Sequence, residues 1–526
     1  MKSTTLDTSS SVQEKQLSSA APQFVQGMGL FSATAIVMGS MIGSGIFIVS
    51  AEMSRGLGSP ALLIAAWLVT AALTMIGALS YGELAAMMPK AGGQYIYLRE
   101  ALGPLWGFLY GWTLFLVIQT GTVAAVGVAF GKFLGVFFPS VSGSHWIWHI
   151  GHVPAVQVGP MLLGNMEIGL NTANLTAIVV LTLLTALNSL GVRMGSAVQN
   201  VFTSAKVLAL AAVVLVGLVA KNSTAIAANF GEGWHNFWAG AGWGTLHSLQ
   251  VGAGGPTALV GVLTIVAAVQ VGSLFSSDSW NNVTFTAGEI RNPRRNIPLS
   301  LVIGTGVVLL LYVLCNFVYL SVLPMAGDAS ATTIMGRGIQ FASEDRVATA
   351  VMDQAFAGSG AKLMAAVILI STFGCVNGLL MAGARVYYAM SQDGLFFKSV
   401  GKLSEGSKTP VNALWVQWVW ACLLCLSGSY NQLLEYVIFA VLVFYILTIT
   451  GLFVLRRTRP DAERPYRALG YPVLPALYIV MAFWICVVLL RYKPQYTWPG
   501  LMIVLLGIPV YLVWTRMAQG RGSVKA

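Results

Sequence analysis

Hydrophobic positions along this chain fall in long unbroken runs rather than in short alternating or amphipathic stretches. A helix that crosses a bilayer needs about 20 apolar residues. Twelve runs qualify: 31–50, 60–88, 104–138, 168–188, 197–220, 257–290, 298–323, 361–390, 410–428, 431–455, 472–491 and 497–515. The pattern predicts an all-α polytopic membrane protein with 12 transmembrane helices. Two runs are interrupted. Gly39-Ser-Met-Ile-Gly-Ser-Gly-Ile-Phe47 cuts the first, and Phe275-Ser-Ser-Asp-Ser-Trp-Asn-Asn282 cuts the sixth.

Three glycines and two serines between Gly39 and Gly45 are poor material for a continuous helix. Within lipid every backbone N–H and C=O needs an internal partner, so a break is tolerated only where the freed groups line a cavity or meet a ligand. The first run is therefore expected to be discontinuous near Ile42–Gly45. Its outer half would present free amides at Ser44, Gly45 and Ile46, together with the positive end of the helix dipole. That is a carboxylate site built from backbone. Broken helices at corresponding places in two halves of a chain are the sequence mark of an inverted-repeat transporter.

Composition agrees. The 526 residues are 56% hydrophobic and 9% charged, where soluble domains carry about a quarter charged residues. The net charge of +11 does not point to nucleic acid, because the basic residues alternate by loop. One set of loops carries Lys90, Arg99, Arg193, Arg291, Arg294, Arg295, Lys398, Lys402, Lys408 and the Arg456–Arg467 cluster. The opposite set is poorer. An even number of spans places both termini on one side, and the basic bias makes that side cytoplasmic. The five cysteines all lie in apolar runs and read as buried thiols. His145, His149 and His152 have no carboxylate or cysteine beside them in the sequence, so no metal and no cofactor are expected. No Walker A pattern supports an ATP-driven pump, and no enzyme is expected. Residues 1–27 and 517–526 read as cytoplasmic tails, the first of them disordered. The halves fall at 28–222 and 223–458, each opening on its broken helix, with helices 11 and 12 left over at 459–516.

Eight segments, in order, carry a resemblance. They begin with Gly39–Phe47, Tyr81-Gly-Glu-Leu with Pro89–Tyr97, Gly103–Trp112 and Ala205-Lys-Val-Leu-Ala-Leu210. The others are Ser277-Asp-Ser-Trp-Asn281, Gly288–Pro298, Ala384–Met390 and Arg464–Pro472. Together they resemble the amino acid–polyamine–organocation (APC) transporter superfamily, in its LAT-like L-amino acid branch. The resemblance implies the LeuT-like 5+5 inverted repeat with discontinuous helices 1 and 6, amino acid substrates and alternating access.

It also implies site residues. The substrate carboxylate would sit on Ser44, Gly45 and Ile46, and the ammonium on carbonyls near Met41 and Ile42. Carbonyls of Phe275, Ser276 and Asp278 would complete the ammonium site, with Phe275 as a gate over the substrate. Trp280 would line the far wall or simply pack. Asp278 is a mid-membrane carboxylate and functional by default; it would cap the inner half-helix, face the substrate side chain or carry a proton. Lys206 lies roughly 13 Å into its helix, too deep to snorkel. In proton-dependent members such a lysine stands where sodium-coupled relatives hold their ion. Lys206 is thus the coupling candidate and an argument against sodium. Glu83, Glu289 and Arg385 lie near cytoplasmic helix ends and form a candidate inner gate. The outer loop between helices 3 and 4 lacks the cysteine that tethers eukaryotic LAT-type members to a glycoprotein subunit. A stand-alone permease of a bacterial inner membrane is expected.

The expected function is sodium-independent secondary transport of L-amino acids, by exchange or proton symport. A polyamine or cationic-substrate permease is the alternative within transport, and a non-transporting amino acid sensor the alternative outside it.

Overall fold

The computed structural model describes residues 24–159, 161–164, 166–231, 233–238, 258–356, 358–427 and 430–520. The tails expected at 1–27 and 517–526 fall largely outside these residues. Nine of the described helices are long and apolar enough to cross a membrane, and three shorter apolar helices, Leu30–Met41, Leu263–Ser276 and Val411–Leu426, stand beside them. The chain is an integral, multi-pass membrane protein.

The first run is split into α1 (Leu30–Met41) and α2 (Val49–Leu57), joined through a single 3₁₀ turn at Gly45–Phe47. α3 (Pro60–Met87) follows, then a nine-residue helix α4 (Gln94–Leu102) that precedes α5 (Pro104–Leu134). α5 contains a π-helical turn at Leu114–Ile118. α6 (Thr172–Ser189) and α7 (Val192–Val219) follow. The sixth run is split into α8 (Ala258–Ser276) and a short α9 (Asn282–Phe285). α10 (Pro293–Val322), α11 (Val347–Phe356), α12 (Gly360–Gln392), α13 (Val411–Leu426), α14 (Tyr430–Thr458), α15 (Val473–Tyr492) and α16 (Pro494–Gly520) complete the order. α1 packs against α7, α10 and α12.

Two boundaries differ from the hydrophobic pattern. α10 starts at Pro293, because the first turn of a helix needs no N–H from proline, and Pro298 is then carried inside. The fourth run begins as strand rather than helix. Met166–Asn171 (β4) pairs antiparallel with Trp146–Val153 (β1), and Val156–Val158 (β2) pairs with Met161–Leu163 (β3). α6 starts only at Thr172, where the Asn171 side chain accepts the Asn174 amide. This hairpin brings Glu167 to His149 and His152, at 2.7 and 2.9 Å. A carboxylate therefore does stand beside those histidines, and the His149 contact holds it below its usual range.

Candidate functional site

The break in the first helix frees backbone groups, and most of the carbonyls have protein donors. Tyr312 Oη lies 3.2 Å from Met41 O and 3.1 Å from Ser276 O, so its one proton can go to either, and the hydroxyl sits between the two breaks. Ser371 Oγ donates to Ile42 O or Gly43 O, at 3.0 and 3.1 Å. Tyr319 Oη reaches Ile46 O, and Cys375 Sγ reaches Ser40 O. The amides of Ser44, Gly45 and Ile46 have no protein acceptor among the described residues. A break whose amides are left unpaired while most of its carbonyls have donors is a ready anion seat.

Lys206 is fully buried in α7. Its ammonium donates to Gly39 O at 2.6 Å, Ile42 O at 2.9 Å and Ser371 O at 3.2 Å. Three donors meet three acceptors, so the buried cation is satisfied by backbone alone. Ile42 O takes the Lys206 ammonium and is one of the two carbonyls within reach of the Ser371 hydroxyl.

Gly39 and Gly45 owe their identity to close approach. A Cβ on Gly39 would meet Gln199 Nε2 at 1.9 Å and Thr203 Oγ1 at 2.3 Å, so Gly39 seats α1 directly on α7. A Cβ on Gly45 would meet Ser276 Oγ at 2.2 Å, so the two breaks touch there.

In the second break, the Asp278 amide bonds Phe275 O at 3.2 Å. The Asp278 carboxylate does not cap α9, whose cap position is Asn281 without a side-chain bond. It accepts the Tyr445 hydroxyl from α14 at 2.6 Å. Asp278 lines two small cavities. One, of about 10 Å³, lies toward Tyr110, Gln119 and Asn282; the other, of about 20 Å³, lies toward Thr74, Ser277 and Tyr478. Each has room for about one water, and an amino acid needs more. Trp280 both packs and borders the second cavity: its ring lies 4.8 Å from Tyr81 and 5.2 Å from Tyr445, and Gly77 leaves room for its edge. Phe275 is half-buried at the end of α8.

The three charges expected at one inner gate separate into two sites. Arg385 grips Glu289 through two hydrogen bonds, at 2.9 and 3.1 Å, with both side chains buried. Glu83 is elsewhere. It accepts from Arg456 at 2.6 and 2.9 Å and from the Ala468 amide at 2.6 Å, and pairs with Arg464 at 3.3 Å. Those partners lie at the end of α14 and in the segment that follows. Opposite-sign residues near Glu83 in sequence did not point to them. The segment before α1 closes over the same end: Met28 N donates to Glu289 O, and Arg291 N to Met28 O. Elsewhere, Arg55 of α2 pairs with Asp345 at 2.6 Å, ahead of α11.

Sequence reasoning missed Tyr312, Ser371 and Tyr445. Each is a lone hydroxyl in an apolar run, and only its proximity to freed carbonyls or a carboxylate marks it. The π turn of α5, adjoining Gln119, also left no sequence signal.

A broken helix with free amides and satisfied carbonyls describes a solute site without naming a solute. A family model described as amino acid permease matches residues 28–514. The chain belongs to the amino acid permease family. This is a family of transporters. The b(0,+)-type amino acid transporter 1 of Mus musculus is similar at 30% identity over 463 residues, covering 86% of this chain and 82% of that protein. The large neutral amino acids transporter small subunit 2 of Homo sapiens is 28% identical, covering 92% and 80%. The serine/threonine exchanger SteT of Bacillus subtilis (strain 168) is 26% identical, covering 92% and 95%. In this permease the family match spans both broken helices, Lys206 and the Glu289–Arg385 pair.

Proposed function

We propose that this permease exchanges L-amino acids across the membrane by alternating access, without sodium. The carrying observation is the trio of amides at Ser44, Gly45 and Ile46 that have no acceptor among the described residues. They take the substrate carboxylate. The ammonium is held by carbonyls of Met41, Phe275 and Ser276: Met41 O takes the Gly43 amide, Phe275 O takes the Asp278 amide, and the single Tyr312 hydroxyl proton goes to either Ser276 O or Met41 O. Asp278 and Trp280 stand behind this seat, and Phe275 covers it. Ile42 O, which takes the Lys206 ammonium, joins the ammonium site when the Ser371 hydroxyl turns to Gly43 O.

The architecture that serves this is twelve spans in a 5+5 inverted repeat. The repeats cover 28–222 and 223–458, helices 11 and 12 lie at 459–516, and both termini are cytoplasmic. The unit carrying the two broken helices rocks against helices 3, 4, 8 and 9. The loop between α5 and α6 carries no cysteine, which favours a permease without a disulfide-linked subunit in a bacterial inner membrane. Exchange is favoured over proton symport because all three Lys206 donors are used. A cationic substrate is the second reading, favoured by Asp278 lining both cavities.

The test is uptake of labelled serine, leucine, alanine and arginine into proteoliposomes in sodium-free buffer, with and without internal amino acid and an inward pH gradient. Uptake that needs internal amino acid and ignores pH supports exchange. Accumulation driven by pH alone would replace exchange by symport. No uptake under any condition would overturn transport.

A further inference from the structure

Below Lys206, α7 continues as a polar stripe toward the cytoplasmic end. Gln199, Thr203 and Lys206 stand at i, i+4 and i+7, on one face of the helix. They meet the carbonyls of Ala35, Gly39 and Ile42 on the first helix, which have the same spacing. Thr203 Oγ1 donates to Ala35 O at 3.0 Å, and Gln199 Nε2 lies 3.4 Å from the same oxygen. Gln199 is itself held from behind. Asn377 of α12 donates to Gln199 Oε1 at 2.8 Å and to Gly195 O at 3.1 Å. Asn188 of α6 donates to Asn377 Oδ1 at 2.8 Å and to Leu184 O at 2.8 Å. All four side chains are buried. An amide ladder thus runs from α6 through α12 and α7 to the inner half-helix α1.

We propose that Asn188, Asn377, Gln199 and Thr203 are a clasp that holds α1 in the inward-closed position. The ladder sets how readily the cytoplasmic side opens. The inference rests on the alternating-access reading above. Two features support it over mere packing. The ladder ends on a carbonyl of the half-helix that lies below the break, so that end can part without unwinding α7. The ladder is also separate from the Glu289–Arg385 pair, which ties α12 to the segment after α9. Closure of the inner side therefore has two polar fastenings, one charged and one neutral. The neutral one has no salt dependence. These four are positioning residues, since none reaches the unpaired amides of the break.

The test uses Cys375 as a reporter. Its thiol lies buried at 3.4 Å from Ser40 O, just under the break, and becomes wet when α1 swings away. Purified full-length wild type, Asn188→Leu and Thr203→Val are treated with a water-soluble maleimide, and each cysteine is read by peptide mass spectrometry. Asn188 does not touch Cys375, and Thr203→Val removes one hydroxyl, which donates to Ala35 O and accepts from Gln199 Nε2. We expect both variants to raise Cys375 labelling alone by about fivefold, the population shift that loss of one buried hydrogen bond gives. Their apparent KM for internal substrate falls while that for external substrate rises. Labelling that stays flat overturns the clasp. So does a parallel rise at Cys315, Cys422, Cys425 and Cys486, which reports general loosening. Wild-type exchange with flat variant labelling leaves the transport reading standing. Cys375-specific labelling without any wild-type transport sinks that reading, and with it the clasp as a transport gate.

Discussion

The Lys206 ammonium lies 2.6 Å from Gly39 O, a carbonyl that helix α1 releases at its break. A side chain from a neighbouring helix thus replaces the amide that a continuous helix would have supplied. Lys206→Met should leave Gly39 O and one lone pair of Ile42 O without donors. Each unsatisfied buried carbonyl costs about 1–3 kcal/mol. The expected outcome is a melting temperature lower by several degrees and exchange reduced by about tenfold or more. Thermal unfolding in detergent and proteoliposome exchange check both. Lys206→Arg should not rescue, because the guanidinium is larger and planar.

Gly45 and Gly43 are near neighbours with opposite tolerance. A Cβ on Gly45 would lie 2.2 Å from Ser276 Oγ, whereas one on Gly43 would lie 3.8 Å from Cys375 Sγ. Gly45→Ala should abolish exchange in a protein that still elutes as a single species. Gly43→Ala should keep most of the activity. Equal effects of the two would show that the contact between the breaks does not matter.

Glu289 and Arg385 form a buried bidentate pair. Removing one partner leaves an uncompensated charge, at a cost of about 3–5 kcal/mol. Glu289→Gln and Arg385→Gln should each lower the melting temperature more than the double variant does per residue changed. A double-mutant cycle measured by thermal unfolding gives the coupling energy.

Glu83 fastens the segment after α14 through Arg456, Arg464 and the Ala468 amide. Glu83→Gln should raise hydrogen–deuterium exchange across 459–471 while leaving α1 and α8 protected. Unchanged exchange in that segment would remove Glu83 from the role of latch.

Tyr445 holds one oxygen of Asp278. Tyr445→Phe frees that oxygen toward the pocket. Uptake of arginine relative to serine should then rise several-fold in competition assays, if the side chain of a bound amino acid reaches Asp278. Asp278→Asn on top of Tyr445→Phe should erase the gain.

Much of this was legible along the chain. The apolar runs give the membrane helices, because a bilayer demands length and leaves little else to vary. The glycine–serine break and Asp278 announce themselves for the same reason: each is costly in lipid and calls for a partner. Sequence also marks Lys206 as buried, since its depth can be counted in residues. What sequence could not supply is the identity of partners across the fold. Glu83, Glu289 and Arg385 look alike as charges at helix ends, yet Glu83 pairs with Arg456 far along the chain. Asn188, Asn377 and Gln199 are unremarked amides until three helices bring them within 2.8 Å of one another. Burial of apolar runs is additive along a sequence and can be read locally. Hydrogen bonds are directional and short, so only the tertiary arrangement decides which polar groups meet.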